Sequence, residues 1–469
     1  MKNTSQKHLN NIGETKLITP IQKIHNLGTN NIYIKRDDLL PFSFGGNKAR
    51  ISNEYFIDIK KKNKNCIIAY GNPRSNLCRV ISNQAFSLGL PCYIISPSDD
   101  DGSREKTNNA NLTELCNASI IPCTKNNVSS TISQIIEECK NNGLDPYYVN
   151  GDIYGNGNEA TPVQAYIKVY SEIQEQKGNL NFDYIFVATG TGMTLAGLAV
   201  GKVNNLGKEK IVGISVARDR EKALEATKKY CKPFINDSIL DVEIDDSYIS
   251  GGYGKYNYDE LATIRNLYCN EGILLDPVYV GKAFWGMKQY IRKHNVENSN
   301  ILFIHTGGTP LSFDMINHPS WNDSFRKINK EQVDEMINFL NINSNQFATD
   351  LSTVTNIQEY SDKILSKGYA YCYYKNNTLC GIICGYANDN KTKTAFSSCF
   401  VIEPSVRGTG VASMLFELQY EHCKSSGMKK LIFTTDKRNV AAKKFYEKQS
   451  VPINYEIKDE KLIHYCMTI

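Results

Sequence analysis

The sequence predicts two α/β domains in tandem: a larger one built on parallel sheets, then a smaller α+β one. Three observations lead there. At 469 residues the chain exceeds what one compact core organises, so two or three domains are expected. From about Ile32 to Phe313, short β-rich runs alternate with longer helical stretches, the pattern of a parallel sheet with helices on both faces. After the polar segment "NHPSWNDSFRKINKEQ", Asn317 to Gln332, the order changes to two helical stretches and successive strands with turns between them. That order favours antiparallel pairing in a separate last domain. The boundary is placed at 322/323.

In chain order, "IYIKRDDLLPF" alternates as a strand and runs into a proline. "PFSFGGNKAR" follows, with two glycines and an asparagine directly before Lys48. Glycines there permit a sharp bend or a close backbone approach. Lys48 is then either a solvated surface charge or an amine held for covalent chemistry. The strand "NCIIAY" leads to "GNPRSNLCR", where Ser75 is an exposed hydroxyl or a helix cap. "PCYIIS" and "ASIIPC" read as strands, and "VSSTISQIIEECKNNG" and "ATPVQAYIKVYSEIQEQKG" as helices. "YIFVAT" precedes "GTGMTLAGLAVG", a strand, a Gly-x-Gly and a helix, which is an anion-binding arrangement or a tight turn. It lacks the Lys-Ser/Thr ending of a nucleotide P-loop. "KIVGISVA" is the next strand, "LLDPVYVGKAFWGM" sets Tyr279 at a proline turn, and "NILFIH" leads to "TGGTP". Ligands of such sheets bind beyond the carboxyl ends of the strands, where these motifs fall.

Composition narrows the function classes. Hydrophobic content of 41% and charged content of 22% fit a globular chain. The net charge of +5 is spread over 54 basic and 49 acidic residues with no long basic block, which argues against a nucleic-acid partner. The seven histidines are scattered and make no metal-ligand spacing, so no metal is expected. Fourteen cysteines show no Cys-x-x-Cys and no regular framework. The polar start "MKNTSQKHLNNIGETK" lacks an apolar core, and no run is long enough to span a bilayer. A cytoplasmic protein with reduced thiols is the expectation.

A lysine in a glycine bend, an anion cradle, and hydroxyls at other strand ends suit pyridoxal phosphate, whose aldehyde, phosphate and ring need those groups. In their order, "IKRDDLLPFSFGGNKAR", "SNLCR", "NANLTELCNA", "TGTGMT", "DPVYVGKAFWGM" and "IHTGGTP" make Ile32 to Phe313 resemble the fold-type II pyridoxal-phosphate enzymes. The branch is that of D-cysteine desulfhydrase and 1-aminocyclopropane-1-carboxylate deaminase. The resemblance implies two parallel-sheet subdomains, the smaller at roughly 52–160, and a homodimer. It implies that Lys48 bonds the cofactor and later moves the α-proton, and that Asn76 meets the ring hydroxyl. Gly190, Thr191, Gly192, Met193 and Thr194 would hold the phosphate, and Thr306 would face the pyridine nitrogen. Ser75, Tyr253 and Tyr279 would surround a small amino-acid substrate. A neutral hydroxyl at Thr306 makes a milder electron sink than a carboxylate would, which suits loss of a β-substituent.

Three positions depart from the family pattern. Val280 stands where the deaminases carry glutamate and the desulfhydrases threonine, which disfavours cyclopropane opening. Arg74 replaces a glutamine before Ser75; it reads as a side chain pointing to solvent, or, turned inward, as one that would suit a second carboxylate or a larger substrate. "KARIS" replaces the usual "K-x-R-K-L".

"VIEPSVRGTGVASMLFELQ" and "NVAAKKFYEK" resemble the GNAT acyl-CoA-dependent N-acyltransferases. Arg407, Gly408, Gly410 and Ala412 match their pyrophosphate-binding turn, where a helix N-terminus offers free N–H groups. The resemblance places Asn439 and Tyr446 near the thioester sulfur, with Tyr446 able to protonate the leaving thiolate. Tyr446 also reads as a core aromatic and Arg407 as a solvated turn. The family's "K-x-G-F" ending is "KQSV" here, and no general base stands out. Acetyl-CoA is the implied cosubstrate.

Together these readings give an amino-acid β-elimination or β-replacement enzyme coupled to N-acetylation of a related amine. Pure elimination yields pyruvate, which has no amine to acetylate, so coupling favours replacement or two routes of disposal. A racemase or deaminase on the same fold, and an amino-acid sensor gating an acetyltransferase, are the alternatives.

Overall fold

The computed structural model describes residues 18–98, 106–236, 240–316, 324–347, 349–376, 378–447, 453–456 and 462–469. The expected boundary at 322/323, the whole polar N-terminal stretch and the "KQSV" departure lie outside the described residues. The chain divides into two compact units that interleave in sequence. One runs to Tyr256 and takes in Leu267–Met287 and Asn298–Ile316; the other takes Asn257–Asn266, Lys288–Glu297 and the chain beyond Ile316.

The first unit contains β1 (Ile21–Lys23), β2 (Asn31–Arg36), α1 (Asn47–Lys61), β3 (Cys66–Tyr70), α2 (Asn76–Ser87) and β4 (Cys92–Ser98). Then come α3 (Asn108–Leu115), β5 (Ser119–Thr124), α4 (Val128–Asn141), β6 (Pro146–Tyr148), α5 (Ala160–Gln176) and β7 (Tyr184–Thr189). α6 (Met193–Asn204), β8 (Lys210–Ser215), α7 (Arg220–Cys231) and β9 (Glu243–Asp245) follow. Next, α8 (Tyr258–Glu271) and α9 (Val280–Lys293) straddle the two units, and β10 (Asn300–His305) and α10 (Thr309–Ile316) complete the series. Two sheets form. One has the order β1-β2-β10-β7-β8-β9, parallel except for β1; the other has the order β5-β4-β3-β6 and is parallel throughout.

Parallel strands buried on both faces must be apolar along their length. Ile185, Phe186, Val187, Leu302, Phe303 and Ile304 are accordingly inaccessible to solvent. One buried knot is polar. Asp37 accepts from Thr19 Oγ1 (2.8 Å), Tyr166 Oη (2.6 Å) and Arg50 Nη2 (2.8 Å) and Nε (3.1 Å), while Arg50 Nη1 donates to Glu172 (3.0 Å). Lys35 Nζ also donates to Glu172 (2.5 Å), so two cations face two carboxylates. Burial pushes the Asp37 carboxyl up, but the Arg50 charge and the hydrogen bonds outweigh it and hold the group below its ordinary range.

The second unit carries β11 (Ser324–Lys327), α11 (Val333–Ile342), α12 (Leu351–Val354), α13 (Ile357–Lys367), β12 (Tyr369–Lys375), β13 (Thr378–Asp389), β14 (Thr394–Ile402) and α14 (Val411–Ser425). β15 (Lys430–Asp436), α15 (Val440–Glu447), β16 (Ile453–Glu456) and β17 (Leu462–Thr468) end it. The seven strands lie in the order β11-β12-β13-β14-β15-β17-β16. All pairs are antiparallel except β14–β15, which is parallel and joins only Thr394–Phe396 to Lys430–Ile432. Beyond Phe396 and Ile432 these two strands no longer pair. All fourteen cysteines are free thiols, and no described helix is long and apolar enough to cross a membrane. Among the described residues no group of three His, Cys, Asp or Glu side chains is placed to hold a metal ion.

Candidate active site

The opening bend explains itself through its neighbours. After β2 the chain passes through left-handed backbone at Ser43 (φ 48°), Phe44 (φ 58°), Gly45 (φ 64°) and Gly46 (φ 91°) before α1 begins at Asn47. A Cβ on Gly46 would lie 2.5 Å from the Thr306 carbonyl oxygen, and one on Gly307 would lie 2.5 Å from Gly46 Cα. The loops after β2 and β10 therefore touch backbone to backbone, which only glycine allows. Asn47 adds two ties: its N–H donates to the Thr306 carbonyl (3.0 Å) and its Nδ2 to Thr194 Oγ1 (2.9 Å). His305, buried, accepts the Gly307 N–H at Nδ1 (3.2 Å) while Nε2 meets the Leu274 carbonyl (3.1 Å), an arrangement of the neutral ring. Burial pushes its pKa down, consistent with that form.

Lys48 thus projects from the first turn of α1 into a cleft of about 820 Å³. The eleven residues expected from the first domain all line it: Lys48, Ser75, Asn76, Gly190 to Thr194, Tyr253, Tyr279 and Thr306. Desolvation pushes the Lys48 ammonium down to about 8, so a sizeable fraction is the neutral nucleophile at ordinary pH. Beyond β7, Gly192 caps α6 in the left-handed region (φ 92°) with no side chain capping the helix. The first N–H groups of α6 therefore face the cleft without intrahelical partners.

Ser75 does two things. It lines the cleft, and its Oγ accepts from Cys78 N (3.2 Å) as the cap of α2. Asn76 is oriented from behind: Asn109 Nδ2 donates to its Oδ1 (2.9 Å), which leaves the Asn76 Nδ2 donors for the cleft. Tyr253 and Tyr279 share a short hydroxyl–hydroxyl bond (2.5 Å), and Tyr253 Oη reaches Asn72 Oδ1 at 3.5 Å. Burial raises both phenols, Tyr279 well above its ordinary value, so the pair keeps its protons at neutral pH.

Sequence reasoning missed Asp276. Its carboxylate is fully buried and accepts from the N–H groups of Val278 (2.9 Å), Tyr279 (2.8 Å) and Val280 (3.0 Å). It caps α9 and fixes the Tyr279 backbone. Burial pushes this carboxyl up to about 7, against the pull of those N–H donors. An Asp before a proline at a helix start was the available signal. Asn109 had no such signal, because its partner lies on another helix.

These residues fit pyridoxal phosphate: a desolvated amine, amide donors from Asn76 for a ring oxygen, and an uncapped helix start for the phosphate. Fold and cleft are those of a pyridoxal-phosphate enzyme. Residues 9–307 match the pyridoxal-phosphate dependent enzyme family, and the chain belongs to it. It is 32% identical over 309 residues to a D-cysteine desulfhydrase of Yersinia pestis (strain Pestoides F), covering 63% of this chain and 92% of that protein. Identity to the D-cysteine desulfhydrase of Klebsiella pneumoniae (strain 342) is 30% over 308 residues, covering 63% and 93%. A crystal structure of an ACC deaminase homologue superposes with a TM-score of 0.56 at 29% identity, covering 67% of this chain and 98% of that one. Residues 336–450 match the acetyltransferase (GNAT) family.

In that second domain Gly410 caps α14 in the left-handed region (φ 92°), again with no side-chain cap. Ala412 lies in the first turn of α14, and Gly408 (φ 76°) belongs to the turn before it. Arg407 is exposed; its Nε donates to the Ile402 carbonyl (3.0 Å) and its Nη2 to Gln346. Asn439 caps α15, accepting from Ala442 N (3.0 Å). Tyr446 is buried among Phe433 (4.5 Å between ring centres), Tyr465 (5.1 Å) and Phe416 (5.8 Å), and burial raises its phenol.

Proposed function

We propose that the first domain removes or replaces the β-substituent of a small amino acid, and that the second N-acetylates a related amine from acetyl-CoA. The observation that carries the first half is the position of the Tyr253–Tyr279 hydroxyl pair on the cleft that Lys48 enters. Bound pyridoxal phosphate supplies the electron sink for the pair released at Cα. Lys48 holds that group and, once the amino acid has taken its place, accepts the Cα proton. The amide donors of Asn76 fix the ring, and the N–H groups at the start of α6 hold the phosphate. The tyrosine pair delivers a proton to the leaving group, a task for a protonated phenol. Val280, held beside Tyr279 by Asp276, offers no carboxylate, which supports β-chemistry over ring opening. In elimination, amino acid and water become pyruvate, ammonia and the freed substituent; in replacement, the amine survives for acetylation.

The second half rests on the parting of β14 and β15 after three residue pairs and on the uncapped start of α14. The gap leaves backbone groups available to an extended pantetheine chain, and α14 offers N–H groups to the pyrophosphate. Arg407, Gly408, Gly410 and Ala412 form that anion turn in this reading. Asn439 holds the start of the helix that carries Tyr446, the proton donor to the thiolate.

The test follows the visible band of the purified protein on addition of D-cysteine, L-cysteine, D-serine and O-acetyl-L-serine in turn. Pyruvate and sulfide are assayed in parallel, and N-acetyl products are sought with acetyl-CoA present. A band that moves with one compound, and a Tyr279→Phe protein slowed about 100-fold at that compound, support the first half. No spectral change and no pyruvate with any of them would sink it. Absence of every N-acetyl product would remove the coupling.

A further inference from the structure

Resting on the acyl-transfer half of that reading, we propose that Gln346 is a positioning residue for the acetyl-CoA site. It aims the Arg407 guanidinium at the diphosphate and leaves its charge uncancelled. Gln346 ends the short turn Ser344–Gln346 that follows α11, 61 residues before Arg407 in the chain. Its amide uses both ends. Gln346 Nε2 donates to Asn343 Oδ1, and Gln346 Oε1 accepts from Arg407 Nη2. Asn343 is buried and is itself fixed, because its Nδ2 donates to the Phe339 carbonyl (2.9 Å) in the last turn of α11. Turning either amide over would set donor against donor and acceptor against acceptor. The series Phe339, Asn343, Gln346 therefore presents Arg407 with an acceptor of fixed place and orientation.

Charge shows what such a holder is for. An arginine that only braces a turn is well served by a carboxylate. Arg438, in the same unit, is braced that way: its Nε and Nη2 donate to Asp436 (2.8 and 2.9 Å). Arg407 is held by two neutral oxygens instead, Gln346 Oε1 and the Ile402 carbonyl (3.0 Å). Among the described residues no carboxylate pairs with it. A carboxylate in place of the Gln346 amide would grip the guanidinium harder but would also occupy it. The amide fixes the fork and keeps its positive charge for an anion. The turn beside it is open, since a Cβ on Gly408 would meet no atom within 4 Å. Arg407 and the uncapped start of α14 flank that turn.

The experiment measures the Kd of acetyl-CoA by calorimetry on the full chain loaded with pyridoxal phosphate, for wild type, Gln346→Glu and Gln346→Met. Glutamate keeps the acceptor and claims the guanidinium for itself; methionine keeps the shape and loses the acceptor. Binding is expected to weaken about tenfold in Gln346→Glu and about threefold in Gln346→Met. The fall of affinity with rising salt should be shallower in Gln346→Glu than in wild type. S-acetylpantetheine, which carries no phosphate, should bind all three proteins within about twofold of one another by ligand-observed NMR. On an Arg407→Gln background, Gln346→Met should change the acetyl-CoA Kd by less than about twofold, because the two residues act as one unit.

Acetyl-CoA binding that neither substitution moves by more than about twofold overturns the inference and leaves the acyl-transfer reading standing. An equal loss of S-acetylpantetheine binding also overturns it, since a damaged fold and not a misplaced Arg407 would then be the cause. A wild-type protein that binds no acetyl-CoA overturns both.

Discussion

Asp37→Asn tests whether the buried polar knot holds Lys48 in place. Asp37 is fully buried, and all four groups that meet it are donors: Thr19 Oγ1, Tyr166 Oη, and Arg50 Nε and Nη2. Asparagine keeps the shape but presents an Nδ2 to donors alone, an unmet buried group that costs about 1–3 kcal/mol. It also leaves Lys35 and Arg50 facing the single charge of Glu172. Breaking a buried ion pair from one side costs about 3–5 kcal/mol in all. Guanidinium unfolding followed by the cofactor's visible band reads this unit specifically. Asp37 is held below its ordinary pKa when folded, so its contribution is fully present above about pH 4 and fades as pH falls through the folded value. Wild type and variant should therefore differ most near neutrality and converge on acidification. A difference under about 1 kcal/mol at pH 7, or one that widens below pH 4, would refute the reasoning.

Three further outcomes are expected. In Gly192→Ala, the added Cβ lies 2.9 Å from Thr227 N and 3.0 Å from Ala226 C at φ 92°, so pyridoxal phosphate affinity should drop at least tenfold by fluorescence titration, with acetyl-CoA binding untouched. In the proposed reading, loading of the cofactor-free protein with pyridoxal phosphate uses the neutral Lys48 amine, so its rate should rise with pH to a midpoint near 8. A midpoint near 10, that of a solvated lysine, would refute the burial argument. Gly410→Ala, also at φ 92°, should cost about 1 kcal/mol of stability and weaken acetyl-CoA binding by calorimetry, while the visible band stays unchanged.

What the sequence made legible follows from chemistry local to the chain. "NCIIAY", "YIFVAT" and "NILFIH" are β3, β7 and β10, and the turn after each lines the cleft, because parallel strands present their carboxyl ends together. The antiparallel run of β12, β13 and β14 also matched its turn signals. Long-range pairing was not legible. Arg50 meets Glu172, 122 residues away, and Asn76 meets Asn109 across two helices; no periodicity encodes such partners. β9 and β16, with three and four residues, are too short for an alternation to show. Asp276 carried the local signal of an Asp before a proline at a helix start, but nothing in the sequence marked its carboxylate as the support of the Tyr279 backbone. Tyr446 was legible as a core aromatic on a helix, as its burial bears out, but its particular ring partners Phe433 and Tyr465 were not.

The cleft draws its walls from two separate sheets. Asn72 to Asn76 follow β3 of the four-stranded sheet, while Gly190 to Thr194 and Thr306 follow β7 and β10 of the six-stranded one. A molecule bound between them would act as a strut joining two lobes that both line its cleft. The free energy of that strut adds to the folding of both lobes, by about 2.7 kcal/mol when the ligand stands at 100 times its Kd. Limited proteolysis should therefore cut the cofactor-free protein faster than the loaded one.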